Sequence, residues 1–148
     1  MKSKFLVVAA LCMAILSGCG GSDDNDPVGT IGVHKIVVEV SGSDEVDISV
    51  GFQDASNAKL YDGNGQYKGT LYSVNDKLKN VKKVVCSTDA KGNNLFVLLT
   101  MISIDEGTTC SYSIKAYIND KLVDELKGEK TFTSSSMSEM VELFTNER

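Results

Sequence analysis

The chain is predicted to fold as an all-β antiparallel sandwich of about seven strands. Three observations lead there. Segments such as 46–52 and 110–118 alternate apolar and polar residues at period two. Val, Ile, Thr, Tyr and Phe crowd these segments, as strands prefer. The breaks between them are rich in Gly, Asn and Asp, which turn the chain.

The first strand is predicted over 33–41, where Ile36, Val38 and Val40 share one face. Gly42-Ser43-Asp44 turns the chain into a second strand over 46–52, with Val46, Ile48, Val50 and Phe52 on its apolar face. The two runs read as a hairpin. Residues 54–66 are turn-rich, with a short strand near Ala58 to Tyr61. Gln66 to Val74 and Leu78 to Ser87 are the next strands. Leu95 to Ile104 is nearly continuous in apolar residues, which fits a strand covered on both faces. Cys110, Tyr112, Ile114, Ala116 and Ile118 alternate with Ser111, Ser113, Lys115 and Tyr117. Asn119-Asp120 then makes a tight turn into Lys121 to Leu126, a second hairpin. Lys130 to Thr133 adds a short edge strand.

The C-terminal segment reads two ways. Ser136-Met137-Ser138-Glu139 matches a capping box, and Met137, Met140, Val141 and Phe144 follow helical spacing. This favours a short helix over 136–145, with a final strand as the alternative.

The N-terminus carries an address. Lys2 and Lys4 precede an apolar run from Phe5 to Leu16, then Leu16-Ser17-Gly18-Cys19. The run is shorter than the roughly 20 residues a spanning helix needs. The whole reads as a cleaved signal peptide. Its last four residues resemble the lipobox of bacterial lipoproteins, in which Cys19 becomes the first residue and carries the lipid, palmitate included. Residues 1–18 are thus the signal and 19–31 a flexible tether. Residues 32–148 form one domain. The acidic Asp23, Asp24 and Asp26 after the Cys resemble the export signal of Bacteroidetes-type surface lipoproteins. That resemblance implies an outer-membrane lipoprotein, surface-exposed or facing the periplasm. The partner it implies is the membrane itself, reached through the lipid.

Losing the signal removes two lysines and no acid, which leaves thirteen basic against twenty acidic side chains, a net charge of −7. That balance disfavours nucleic acid as a partner. Four cysteines are present. Cys12 leaves with the signal and Cys19 takes the lipid. Cys86 and Cys110 are expected to pair as a disulfide, with two buried thiols as the alternative. A bridge between them would close a loop of about 25 residues and contribute about 3 kcal/mol.

Two segments carry a family resemblance. His34-Lys35-Ile36-Val37-Val38-Glu39-Val40-Ser41-Gly42 and the stretch from Tyr112 to Val123 resemble the opening strand and closing hairpin of small Bacteroidetes lipoproteins with an MmpS-like domain. The resemblance implies an immunoglobulin-like sandwich and a lipoprotein. It transfers no site residues.

No catalytic set stands out, and the reading is of a non-enzyme without cofactor or metal. His34 is the one histidine, and no Gly-x-Ser-x-Gly elbow exists. His34 reads as a half-exposed strand residue. Asp62-Gly63-Asn64-Gly65-Gln66 lacks the sixth-position Gly and twelfth-position Glu of a calcium loop and reads as a glycine-rich turn. A weak cation site using Asp54 or Asp105 is the residual alternative. Lys77, Lys79 and Lys83 would share one strand face, a solvated edge or a contact for an acidic partner. Two functions compete: a protein-binding or accessory module, and capture of carbohydrate or another small ligand for an outer-membrane uptake system. Tyr61, Tyr67 and Tyr72 are the candidate ligand-binding residues for the second, although a chain without Trp offers fewer aromatic platforms.

Overall fold

A computed structural model describes residues 29–145; the signal, Cys19 and most of the tether lie outside the described residues. Ten strands form two antiparallel sheets: β1 (His34–Gly42), β2 (Asp47–Asp54), β3 (Leu60–Asp62), β4 (Tyr67–Gly69), β5 (Leu71–Lys77), β6 (Asn80–Thr88), β7 (Leu95–Ile102), β8 (Thr109–Ile118), β9 (Lys121–Thr131) and β10 (Ser138–Phe144). The larger sheet runs β4-β3-β6-β1-β8-β9 and the smaller β10-β7-β2-β5. The all-β sandwich expected from the alternating segments is therefore the fold. The strand count exceeds seven because 66–74 divides at Gly69, whose φ of 100° favours glycine, and because Leu60–Asp62 and Ser138–Phe144 also pair.

Alternation places the core. Ile36, Val38 and Val40 of β1 meet Ile48, Val50 and Phe52 of β2 and Val97, Leu99 and Met101 of β7 between the sheets. Leu78 and Phe132, both buried, cap the space from the connections. Gly128 on β9 lies opposite Tyr112, and a Cβ there would come 2.3 Å from the tyrosine oxygen. The bare backbone lets the ring lie across β9.

Three sequence expectations are corrected. β1 and β2 are not a hairpin: β1 pairs with β6 and β8, and β2 with β5 and β7. Their turn is an arch between sheets, and buried Val46 takes the corner, where its carbonyl accepts the Leu78 N–H at 2.8 Å. The C-terminal helix is a strand: β10 pairs with β7 along its length and buries Val141 and Leu143 at period two. The hydrogen bonds of a sheet edge and two buried apolar residues outweigh the capping box. Finally, Cys86 and Cys110 are free thiols. Cys86 sits opposite Ile36, and Cys110 opposite Gly42 on the other flank of β1. Six residues of strand separate those positions, about 20 Å, well beyond the reach of a disulfide. The second hairpin, β8–β9, forms as expected, with Asn119 and Asp120 both at positive φ as a type I′ turn requires.

Candidate functional site: a tyrosine row on the larger sheet

Residues directly opposite one another in antiparallel strands share a face. Applied across the larger sheet, the pairing Tyr67–Tyr61–Ser87–Lys35–Tyr117–Leu122 makes one row over all six strands. Odd-numbered β1 residues point away from the core, so the row lies on the outer face. Tyr67 and Leu122 are exposed, and Tyr61, Lys35 and Tyr117 half-buried. The Tyr61 and Tyr67 rings lie tilted with centroids 5.8 Å apart. Lys35 Nζ sits 4.9 Å from the Tyr117 ring centroid and 2.6 Å from Asp120 Oδ1. The neighbouring row carries Val85, Val37 and Lys115, and Lys115 and Lys127 both pair with Glu125. The Glu125 carboxyl is held below its ordinary range by those two lysines, Lys127 first. Each of these lysines thus has a carboxylate partner on the face itself, Glu125 serving two.

Tyr72 does not join its sequence companions. It points between the sheets, stacked on Phe52 at 5.6 Å, with Lys68 Nζ 5.8 Å from its ring. Burial raises its phenol pKa, and the nearby Asp62 charge adds to the effect. Tyr72, Val74, Lys82, Val84 and Asp62 line a cleft of about 440 Å³ at the open edge of the sandwich. Two of its lining residues are held in ion pairs, Asp62 with Lys68 at 3.0 Å and Lys82 with Asp76 at 2.6 Å. The site residues found by sequence therefore split: Tyr61 and Tyr67 face outward together, and Tyr72 belongs to the edge of the core. Sequence reasoning passed over Tyr117. Its alternation with Ala116 and Ile118 already placed it on the outer face, but only the register aligns it with Tyr61.

The remaining candidates have structural roles. His34 is fully buried rather than half-exposed, because it continues the inward phase of Ile36 and Val38. Its ring nitrogens lie 2.5 Å from Thr145 Oγ1 and 2.7 Å from the Thr30 carbonyl oxygen. The turn at 62–66 is glycine-rich as expected, and Asp62 accepts the Asn64 and Gln66 N–H groups. Those bonds hold its carboxyl below the usual range, with the Gln66 N–H the largest cause and Lys68 next. Asp54 accepts from Ser56 N–H, Ser56 O–H, Asn93 N–H and Asn94 N–H. Those donors occupy the lone pairs a cation would use. Asp105 lies past the opposite end of β7 from Asp54, so the two cannot share an ion. Among the described residues, no three His, Cys, Asp or Glu side chains gather as a metal site. Lys77 closes β5 while Lys83 lies on β6 opposite Glu39, so the lysines do not form one strand face.

Together these features define a two-sheet β-sandwich whose conspicuous surface is an outward aromatic row. Two solved structures match it over most of their length. A DUF4425 family protein from Bacteroides ovatus is 37% identical, with a TM-score of 0.69, covering 78% of this chain and 97% of its own. A domain of unknown function, DUF4425, from Bacteroides vulgatus is 30% identical, also at 0.69, covering 79% and 97%. The chain belongs to the DUF4425 family. The calcium-bound form of a protein from Parabacteroides distasonis is 21% identical, with a TM-score of 0.59, and shares the fold over 85% of this chain. No protein-family model matches the chain, and no curated protein does.

Proposed function

We propose that the chain is a lipid-anchored lipoprotein of the cell envelope, held at the outer membrane through Cys19, and that its sandwich is a non-enzymatic binding module. The leader, the Leu16-Ser17-Gly18-Cys19 box and the acidic residues behind it support the address. The observation that carries the binding role is the outward row of Tyr67, Tyr61, Tyr117 and Leu122. Aromatic side chains left at a surface rather than in a core are what a binding face needs. A second reading, capture of carbohydrate or another small ligand for an uptake system, draws on the same row, because an exposed Tyr67 stands beside the half-buried Tyr61 there.

Two measurements test the proposal. A mass spectrum of the native chain is expected to begin at an acylated Cys19; an intact leader or a bare thiol there overturns the anchor. A photo-crosslinking residue placed at Val37, on the larger sheet's outer face, is expected to give discrete adducts in the cell envelope. One at Leu98, on the smaller sheet, is expected to give none. Silence from Val37 overturns the binding role of the larger sheet.

A further inference from the structure

We infer that the row is the subsite for an extended, uncharged oligosaccharide lying across the strands, with Tyr61 and Tyr117 as its two stacking residues. The inference rests on the proposed binding role of the larger sheet.

Three features select this ligand class. Tyr61 on β3 and Tyr117 on β8 are three strand spacings apart, about 14 Å, with Ser87 and Lys35 between them in register. A single sugar ring cannot touch both tyrosines, whereas a chain of several can. The order along the row is aromatic, hydroxyl, ammonium, aromatic. This suits a ligand whose rings offer a C–H face for stacking and hydroxyls for hydrogen bonds. A protein partner would want the reverse, since the centre of a protein interface is depleted in charge and its rim is polar. Here the polar pair occupies the centre. The third feature is charge. Lys35 is matched by Asp120, Lys115 and Lys127 by Glu125, and Lys83 stands opposite Glu39. Four lysines set against three carboxylates leave at most one spare positive charge on this face, too little to hold a polyanion, which favours a neutral ligand.

The chain has no Trp, and three of its five tyrosines lie in the row, so tyrosine fluorescence responds to its occupation. Full-length protein in detergent micelles is titrated with cellohexaose, maltohexaose and xylohexaose. Glucose and a galacturonate hexamer serve as comparators. At least one neutral hexasaccharide is expected to bind, with glucose at least tenfold weaker because it reaches one ring alone. Tyr61→Ala and Tyr117→Ala are each expected to weaken binding about tenfold. Tyr117→Phe keeps the ring and is expected to retain it, as is Tyr72→Phe at the sandwich edge. Circular dichroism checks that each variant keeps its strands. The inference falls if no neutral hexasaccharide binds at millimolar concentration. It also falls if the galacturonate hexamer binds as well as the neutral ones, or if Tyr61→Ala and Tyr117→Ala both bind undiminished. Protein adducts from Val37 in cells, with no sugar binding, would leave the binding face standing and remove the glycan.

Discussion

His34 and Thr145 join the two ends of the described domain. The Thr145 hydroxyl hydrogen-bonds His34 Nδ1 and accepts the Leu95 N–H at 2.8 Å, while His34 Nε2–H donates to the Thr30 carbonyl. One threonine oxygen thus connects β1, β7 and the residue that follows β10, linking both sheets at the end where the chain enters. Thr145→Val removes the hydroxyl and keeps the shape. It leaves a buried ring nitrogen and the Leu95 N–H unpaired, at about 1–3 kcal/mol for each such group. Urea unfolding is expected to show a loss of about 2–4 kcal/mol. Thr145→Ser, which keeps the oxygen, is expected to recover most of it. Equal stability of the Val and Ser variants would mean that the hydroxyl carries no weight.

Asp54 plays a parallel role between β2 and the β6–β7 turn. Burial works to raise its pKa, but the hydrogen bonds from Ser56, Asn93 and Asn94 outweigh burial and set it below 3.8. A carboxyl whose native pKa is lowered adds stability above its unfolded value. That contribution fades as pH falls from about 4 through the lower native value. The wild type is therefore expected to lose stability below pH 4. Asp54→Asn puts an amide NH₂ against backbone N–H groups, and is expected to cost about 2–3 kcal/mol at pH 7. Its stability curve below pH 4 should also be shallower than that of the wild type. Parallel curves would assign the acid sensitivity to other carboxylates.

Cys86 and Cys110 are separated by the register and also held as thiols. Burial pushes the Cys86 thiol up to about 12 and the Cys110 thiol up to about 11. Thiolate is then scarce at neutral pH, so alkylation and oxidation are slow. Peptide mapping after iodoacetamide treatment is expected to find both unmodified in the native protein and both alkylated in guanidinium without reductant. A peptide joining the two, seen without reductant, would contradict the strand register itself.

The alternating strands were legible because burial on one face leaves a period-two mark in the residues themselves. Ile36, Val38 and Val40 needed no partner to be recognised as one face. The arch between β1 and β2 left no such mark. A short turn between two alternating strands serves equally well for neighbours about 4.8 Å apart and for sheets about 10 Å apart. Only the partners of β1, which come from residues 80–118, decide between them. The same holds for the candidate site. Tyr61 and Tyr117 each sit on a readable outer face, but their alignment passes through Ser87 and Lys35 on two further strands. Register across distant strands is set by the whole sheet and not by any local stretch.

The last strand gives the sharpest test of tertiary context against local pattern. As a helix, 136–145 would bury Met137, Met140, Val141 and Phe144. As β10 it buries Val141 and Leu143, each 6% exposed, and leaves Met140 and Phe144 at 48% and 45%. The two arrangements disagree most at Leu143 and Phe144. Leu143→Ala is expected to cost about 2–4 kcal/mol, as for a buried leucine in a close-packed core. Phe144 keeps only its partly exposed contact with Phe96, at 4.7 Å between centroids, so Phe144→Ala is expected to cost about 1 kcal/mol. Paired urea melts read the order directly. A larger loss at Phe144 than at Leu143 would restore the helix and remove the edge of the smaller sheet.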